Sequence, residues 1–164
     1  MVFRLERGYW MDAGQELVLI DTNVFVIDLR YHRDPNYAQN RRFLEGIELS
    51  DRGFTTLVNL FELCGILSFD LNREQLNDLW VHFSRKYGVS VLPPPDFETQ
   101  CPVVEQRRVF EFVASRSSFG DALMVAAAER YLPFVPTLVT WDKEHLQGIF
   151  KGGVLTPQEY LARK

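Results

Sequence analysis

Four acidic side chains, separated by mostly apolar sequence, are the residues of this chain best suited to chemistry. They are Asp21, Glu62, Asp121 and Asp142, and each follows a predicted strand or opens a predicted helix. Two carboxylates about 5 Å apart repel each other by about 3 kcal/mol at an effective dielectric constant near 20. If the four converge, either some of them are protonated or a cation lies among them.

Oxygen ligands without cysteine or histidine favour hard cations, which here means Mg²⁺ or Mn²⁺. Mg²⁺ keeps part of its water shell and commonly joins carboxylates to substrate phosphates. A cluster of these four acids therefore predicts phosphoryl-transfer chemistry that uses a divalent cation.

Each acid taken alone has a simpler interpretation as a helix cap. Asp and Asn favour the N-cap position, which suits Asp21 and Asp142. Glu62 follows Asn59 by three residues and Asp121 follows Ser118 by three, which is the spacing of a capping box. The sequence leaves capping and catalysis open for every single acid, so the functional interpretation depends on the whole set.

Short apolar runs alternate with helical patterns along the chain. Strands are predicted at 17–20, 54–57, 89–92, 138–140 and, less regularly, 153–155; helical spacing covers 60–67, 76–83 after Asn72, 109–113, 121–128 and a segment from Pro157 after Thr156. This alternation predicts an α/β fold, a three-layer α/β/α sandwich with a central parallel sheet of about four to five strands. Parallel strands bind ligands at their carboxyl ends, where the four acids are expected to meet.

Length and composition predict one globular domain spanning residues 1–164, with residues 1–15 as an N-terminal extension. Apolar residues make up 46% of the chain and charged residues 24%, and the net charge of −4 argues against a generally basic surface. Charged residues near Met1 and the short apolar runs predict neither a signal peptide nor a membrane span. Two cysteines without metal-ligand spacing favour a reducing, cytoplasmic location.

Four segments around the acids resemble the PIN domain family, which includes many toxin ribonucleases of toxin–antitoxin pairs, such as VapC-type toxins, and RNA-processing enzymes. The segments are 19–24, 59–63, 119–128 and 138–142, and the resemblance extends from about Leu17 to Leu161. Each segment is short, but their order agrees with the predicted alternation of strands and helices.

The resemblance implies an endoribonuclease in which Asp21, Glu62, Asp121 and Asp142 are catalytic residues that bind one or two Mg²⁺ or Mn²⁺ ions. A metal-activated water would attack an RNA phosphodiester. Asn23 is expected to orient Asp21, and Thr140 to orient Asp142. The implied partners are the RNA substrate and a small antitoxin protein, with a homodimer as a further expectation.

Basic and aromatic residues near the predicted crevice could contact RNA. The polar stretch from Arg30 to Arg42 is interpreted as a mobile loop, and the candidate RNA-binding residues are Arg30, Arg33, Arg41, Arg42 and Lys143. A solvated charged surface is the alternative for each of them. Tyr31, Trp80 and Trp141 could stack on bases, although the helical spacing of Trp80 favours the core.

Two other functions compete with an active ribonuclease. One is a PIN-like module that binds RNA or protein without turnover. The other is a phosphatase-like α/β enzyme with Asp21 as nucleophile, which would require a second aspartate close after it and a supporting lysine. The residue two positions later is Asn23, which argues against this second function.

Overall fold

A computed structural model describes residues 16–163, whose strands form one five-stranded sheet with every pair of neighbours parallel. The strands are β1 (Val18–Ile20), β2 (Gly53–Thr56), β3 (Val89–Leu92), β4 (Thr137–Val139) and β5 (Gly153–Leu155). The predicted parallel sheet is therefore confirmed. The predicted extension at residues 1–15 lies outside the described residues, and a single domain over the whole chain stays a prediction.

Eight helices of the described chain cover the two faces of the sheet. They are α1 (Thr22–Arg30), α2 (Tyr37–Glu48), α3 (Leu57–Leu67), α4 (Arg73–Tyr87), α5 (Gln106–Ala114), α6 (Phe119–Tyr131), α7 (Lys143–Leu146) and α8 (Pro157–Ala162). Val18 and Ile20 pack with residues of α1 to α4 and α8, whereas Leu19 packs with residues of α5, α6 and α7. Because successive residues of β1 are buried on opposite faces, the predicted α/β/α sandwich is confirmed.

The stretch from Arg30 to Arg42 is a non-helical connection at residues 31–36 and helical elsewhere, so its prediction as a mobile loop is wrong for the part from Tyr37 onward. Arg30 ends α1, and α2 already begins at Tyr37. The apolar residues that give α2 its buried face come later, at Phe43, Leu44 and Ile47. Tertiary packing of that later face extends the helix back through the polar segment, which has no helical pattern of its own.

The cap of α3 also differs from the predicted pair of Asn59 and Glu62. Thr56 is the N-cap, its side chain accepts the N–H of Asn59, and the Asn59 side chain accepts the N–H of Thr56. Glu62 therefore lies in the second turn of α3 and makes no capping contact there. By contrast, the predicted caps Asn72 and Thr156 are confirmed at α4 and α8.

The strands are ordered β3-β2-β1-β4-β5, and the direction in which the chain adds new strands across the sheet changes between β1 and β4. The chain moves outward from β1 to β3 on one side and from β4 to β5 on the other. A crevice opens at the carboxyl ends of the two strands at such a reversal, and α/β proteins bind ligands there. Asp21 follows β1 directly and Thr140 follows β4 directly.

Nowhere in residues 16–163 is a helix both long and apolar enough to cross a membrane.

Candidate active site

Asp21 is a buried carboxylate, 7% exposed, at the crevice between β1 and β4. It is the N-cap of α1, and its Oδ1 accepts the backbone N–H of Thr22 at 2.7 Å. Its Oδ2 accepts the side-chain amide of Asn23 at 2.8 Å and the hydroxyl of Thr140 at 2.7 Å. Asp21 therefore caps α1 while its carboxylate lies at the crevice.

Thr140 joins Asp21 to the loop after β4. Its hydroxyl donates to Asp21 and accepts both the Asn23 amide and the backbone N–H of Asp142, each at 2.9 Å. The hydroxyl proton is thereby directed toward Asp21, because the other two contacts require Thr140 to act as acceptor. The two residues predicted to orient the acids, Asn23 and Thr140, both contact Asp21.

Glu62 reaches the same crevice from α3. Its Oε2 accepts the hydroxyl of Thr22 at 2.5 Å, and the amide of Asn59 donates to that hydroxyl at 3.0 Å. The Asn59 amide also lies 3.4 Å from Asp21 Oδ1. Sequence reasoning did not identify Thr22 or Asn59 as site residues, although the two polar residues directly after Asp21 were a local signal for Thr22.

Asp121 lies in the first turn of α6, beside Glu62. Ser118 caps this helix by accepting the Asp121 N–H at 3.1 Å, and its hydroxyl donates to Asp121 Oδ2 at 2.7 Å. A methyl group built on Gly120 would lie 3.5 Å from Glu62 Oε1. The start of α6 and the Glu62 carboxylate therefore face each other across the crevice.

The electrostatics of Asp21 link three of the four acids. Burial, the largest cause, and the negative charges of Glu62 and Asp121 raise the pKa of Asp21 to about 7, against the hydrogen bonds from Thr140 and Thr22 that lower it. The Asp142 backbone belongs to the same network, but its carboxylate contacts His145 Nδ1 at 2.6 Å. The charges of Glu62 and Asp121 thus act on Asp21, whereas the Asp142 side chain contacts His145.

Comparison with family models identifies residues 18–132 as a PIN domain. The chain belongs to the PIN domain family. This match covers β1 through α6 and so includes Asp21, Glu62 and Asp121. Comparison with curated proteins gave no match.

Solved structures similar to this PIN domain share its fold at low sequence identity. FitAcB from Neisseria gonorrhoeae is 20% identical, with a TM-score of 0.55 over 87% of this chain and 99% of that chain. FitAB bound to an IR36 DNA fragment is 18% identical, with a TM-score of 0.52 over 86% and 95%. VapBC2 from Rickettsia felis, bound to a DNA fragment from its promoter, is 17% identical, with a TM-score of 0.52 over 84% and 96%.

The donors of this PIN domain suit a hard divalent cation. Within the described residues, no three acidic, histidine or cysteine side chains stand close enough together to hold a metal ion as a group. Mg²⁺ does not require such a group, because it commonly takes one or two carboxylates together with waters and substrate phosphates. Asp21, Glu62 and Asp121 offer only oxygen atoms, and their mutual repulsion would fall on cation binding. Their oxygen donors are of the type that Mg²⁺ and Mn²⁺ prefer.

The candidate RNA-binding residues of the PIN domain fall into two groups. Three of them form ion pairs: Arg30 with Asp70 at 3.0 Å, Arg41 with Glu45 at 3.1 Å and with Asp28 at 3.6 Å, and Lys143 with Glu159 at 2.8 Å. Arg33 and Arg42 are exposed. Trp80 is 9% exposed and belongs to the core, as its helical spacing predicted.

Proposed function

We propose that this PIN domain protein is a Mg²⁺- or Mn²⁺-dependent endoribonuclease that hydrolyses RNA phosphodiester bonds. The observation that carries the proposal is the buried Asp21 carboxylate, held by three short hydrogen bonds at the crevice between β1 and β4. Two further acids, Glu62 and Asp121, raise its pKa by their charge. PIN domains are generally nucleases, so both the family and the clustered acids support this activity.

In this proposal Asp21 with Glu62 or Asp121 holds each cation, and waters and substrate phosphate complete its ligands. Asp142 can contribute if its side chain leaves His145. When bound, the cation would lower the pKa of a water and neutralise charge on the phosphate. The chain itself supplies the orientation: Asn23 and Thr140 fix one Asp21 oxygen, and Thr22 fixes Glu62. Glu62 is exposed, so its carboxylate is open to solvent beside the buried Asp21.

We further propose that the protein is the toxin of a toxin–antitoxin pair. The support is the resemblance of its sequence to VapC-type toxins and the shared fold of VapBC2 and FitAB. Expression of the chain alone is expected to arrest bacterial growth, and co-expression of an adjacent small reading frame is expected to relieve the arrest. Light scattering on the purified chain tests the expected homodimer.

The decisive experiment compares two equally buried aspartates of the same helix region. Asp21→Asn removes the central acid, whereas Asp28→Asn alters an aspartate that is also 7% exposed but lies outside the site. Asp21→Asn is expected to lower Mn²⁺-dependent cleavage of a labelled RNA by at least about 100-fold, because the cation loses its buried ligand. Asp28→Asn is expected to cleave within about 3-fold of the parent.

Two results would decide against this function. Cleavage by Asp21→Asn at the parental rate would show that Asp21 is not catalytic. A parent that binds RNA but cleaves nothing with Mg²⁺, Mn²⁺ or EDTA would support the alternative, a PIN-like RNA-binding or protein-interaction module without turnover.

A further inference from the structure

Trp141 is fixed at two points in the loop that follows β4. Its backbone N–H donates to Asn23 Oδ1 at 3.1 Å, and its indole Nε1–H donates to Asn40 Oδ1 at 2.8 Å. It stands between Thr140, which donates to Asp21, and Asp142. The placement of Trp141 therefore affects the residues on both sides of it.

Asn40 is the buried partner that ties this loop to two helices. It lies on α2 with 0% exposure, and its Nδ2 donates to the backbone carbonyl of Val24 at 2.8 Å. Val24 belongs to the first turn of α1, directly after the Asp21-Thr22-Asn23 segment. One side-chain amide thus connects α2, the start of α1 and the loop after β4, and it uses both its donor and its acceptor.

We propose that Asn40 and Trp141 are positioning residues that set the separation of the Asp21 and Asp142 sides of the candidate metal site. The inference rests on the proposed function. Neither residue is expected to touch the substrate; they act through Asn23 and Thr140. Cation affinity is the property they would govern, because Mg²⁺ demands near-ideal octahedral geometry and tolerates misplaced ligands poorly.

The test measures the dissociation constant of Mn²⁺ by electron paramagnetic resonance, with no RNA present, and the half-saturating Mn²⁺ concentration for RNA cleavage. Trp141→Phe removes the indole donor and keeps an aromatic ring. Asn40→Leu, of similar size, removes the acceptor of the indole and also the donor to the Val24 carbonyl. Each is expected to raise both quantities by about 10-fold, with kcat at saturating Mn²⁺ within about 3-fold of the parent. The double variant is expected to match Asn40→Leu, because Asn40→Leu already removes the one hydrogen bond that Trp141→Phe removes.

Trp80→Phe is the matched control. Trp80 is a more deeply buried tryptophan, whose ring packs against Phe61 and Phe97. Its truncation is expected to lower thermal stability while leaving the Mn²⁺ dissociation constant at the parental value. This separates positioning of the site from loss of stability.

Three results would overturn the inference while the proposed function stands. They are parental Mn²⁺ affinity in Trp141→Phe and Asn40→Leu, additive losses in the double variant, or an equal loss of affinity in Trp80→Phe. A parent protein that neither binds Mn²⁺ nor cleaves RNA with it would instead overturn the proposed function, and this inference with it.

Discussion

Asp21 and Asp28 lie seven positions apart at α1 and are both 7% exposed, yet their surroundings differ. Asp28 accepts the Tyr87 hydroxyl at 2.8 Å and has the Arg41 guanidinium 3.6 Å away. Asp21 receives hydrogen bonds from neutral groups, and its charged neighbours are the carboxylates of Glu62 and Asp121.

The difference shows what each buried charge is suited to do. A buried carboxylate needs compensation by hydrogen bonds and by charge. Asp28 obtains both from α2 and α4, and so it ties those helices to α1. Asp21 obtains only the hydrogen bonds, and the charge it lacks is positive, which is what a divalent cation would bring.

The largest expected effect is a gain of stability in metal-free Asp21→Asn. The folded-state pKa of Asp21 is raised from 3.8 to about 7. Between these values the folded protein keeps a proton that the unfolded chain has lost, so stability falls as pH rises. Asn avoids this loss, and Asp21→Asn is expected to be more stable than the parent by on the order of 3 kcal/mol at pH 8 in EDTA.

Urea titrations at pH 4.5 and pH 8 check this expectation, with the gain largely absent at the lower pH. Asp28→Asn is the matched substitution and is expected to lose about 1–2 kcal/mol, because its partners include a charged group. If both variants gain stability or both lose it at pH 8, the proposed contrast between an uncompensated Asp21 and a compensated Asp28 is wrong.

A slightly smaller effect is expected from adding the cation. Mn²⁺ at about 100 times its dissociation constant should stabilise the parent by about 2.7 kcal/mol, because it binds the folded state only. Asp28→Asn should gain the same amount and Asp21→Asn far less. Differential scanning calorimetry with Mn²⁺ and with EDTA measures the three shifts; an equal gain in Asp21→Asn would place the cation elsewhere.

Removal of the Tyr87 hydroxyl tests the Asp28 side. Tyr87→Phe is expected to cost about 2 kcal/mol, because the buried Asp28 carboxylate loses its shortest side-chain donor. RNA cleavage should not change. Tyr131→Phe is the control, since its hydroxyl contacts the exposed backbone of Val103, and it should cost less than about 1 kcal/mol. Equal losses in chemical denaturation would contradict the role of Tyr87.

The smallest effects distinguish two arginines. Arg41→Met is expected to cost about 0.5–1 kcal/mol, and less in 1 M NaCl, because its ion pair with Asp28 is partly exposed. Arg33→Met should leave stability unchanged. If Arg33 contacts an RNA phosphate, its loss should lower the salt dependence of RNA binding by about one ion. Urea titrations measure the stability of both variants, and filter binding across a salt series measures their RNA binding. A loss of stability in Arg33→Met with none in Arg41→Met would contradict this assignment.

Most of the sheet could be predicted because its strands are short apolar runs bounded by turn residues. The run at 89–92 coincides with β3 and the run at 153–155 with β5. The run at 17–20 begins one residue before β1, and the runs at 54–57 and 138–140 lie one residue later than β2 and β4. Local sequence was insufficient for α2, whose polar first turns become helical only through the later packing of Phe43 and Ile47.

The candidate site was harder to predict than the sheet. Thr56-Asn59 and Asn59-Glu62 both have the spacing of a capping box, and only the position where β2 ends selects the first. This leaves the Glu62 side chain available to Thr22. The contact of Asp142 with His145, and the contact of Asn40 with Trp141 across 101 positions, have no local signature.

The reversal in strand order has a consequence for protein synthesis. Thr140 completes the surroundings of Asp21 from 119 positions away. At a translation rate of roughly 5–20 residues per second, Asp21 leaves the peptidyl transferase centre at least about 6 seconds before Thr140 is added. Such distant strand pairing also slows folding. A nascent chain therefore cannot complete the surroundings of Asp21 before residue 140 has been added.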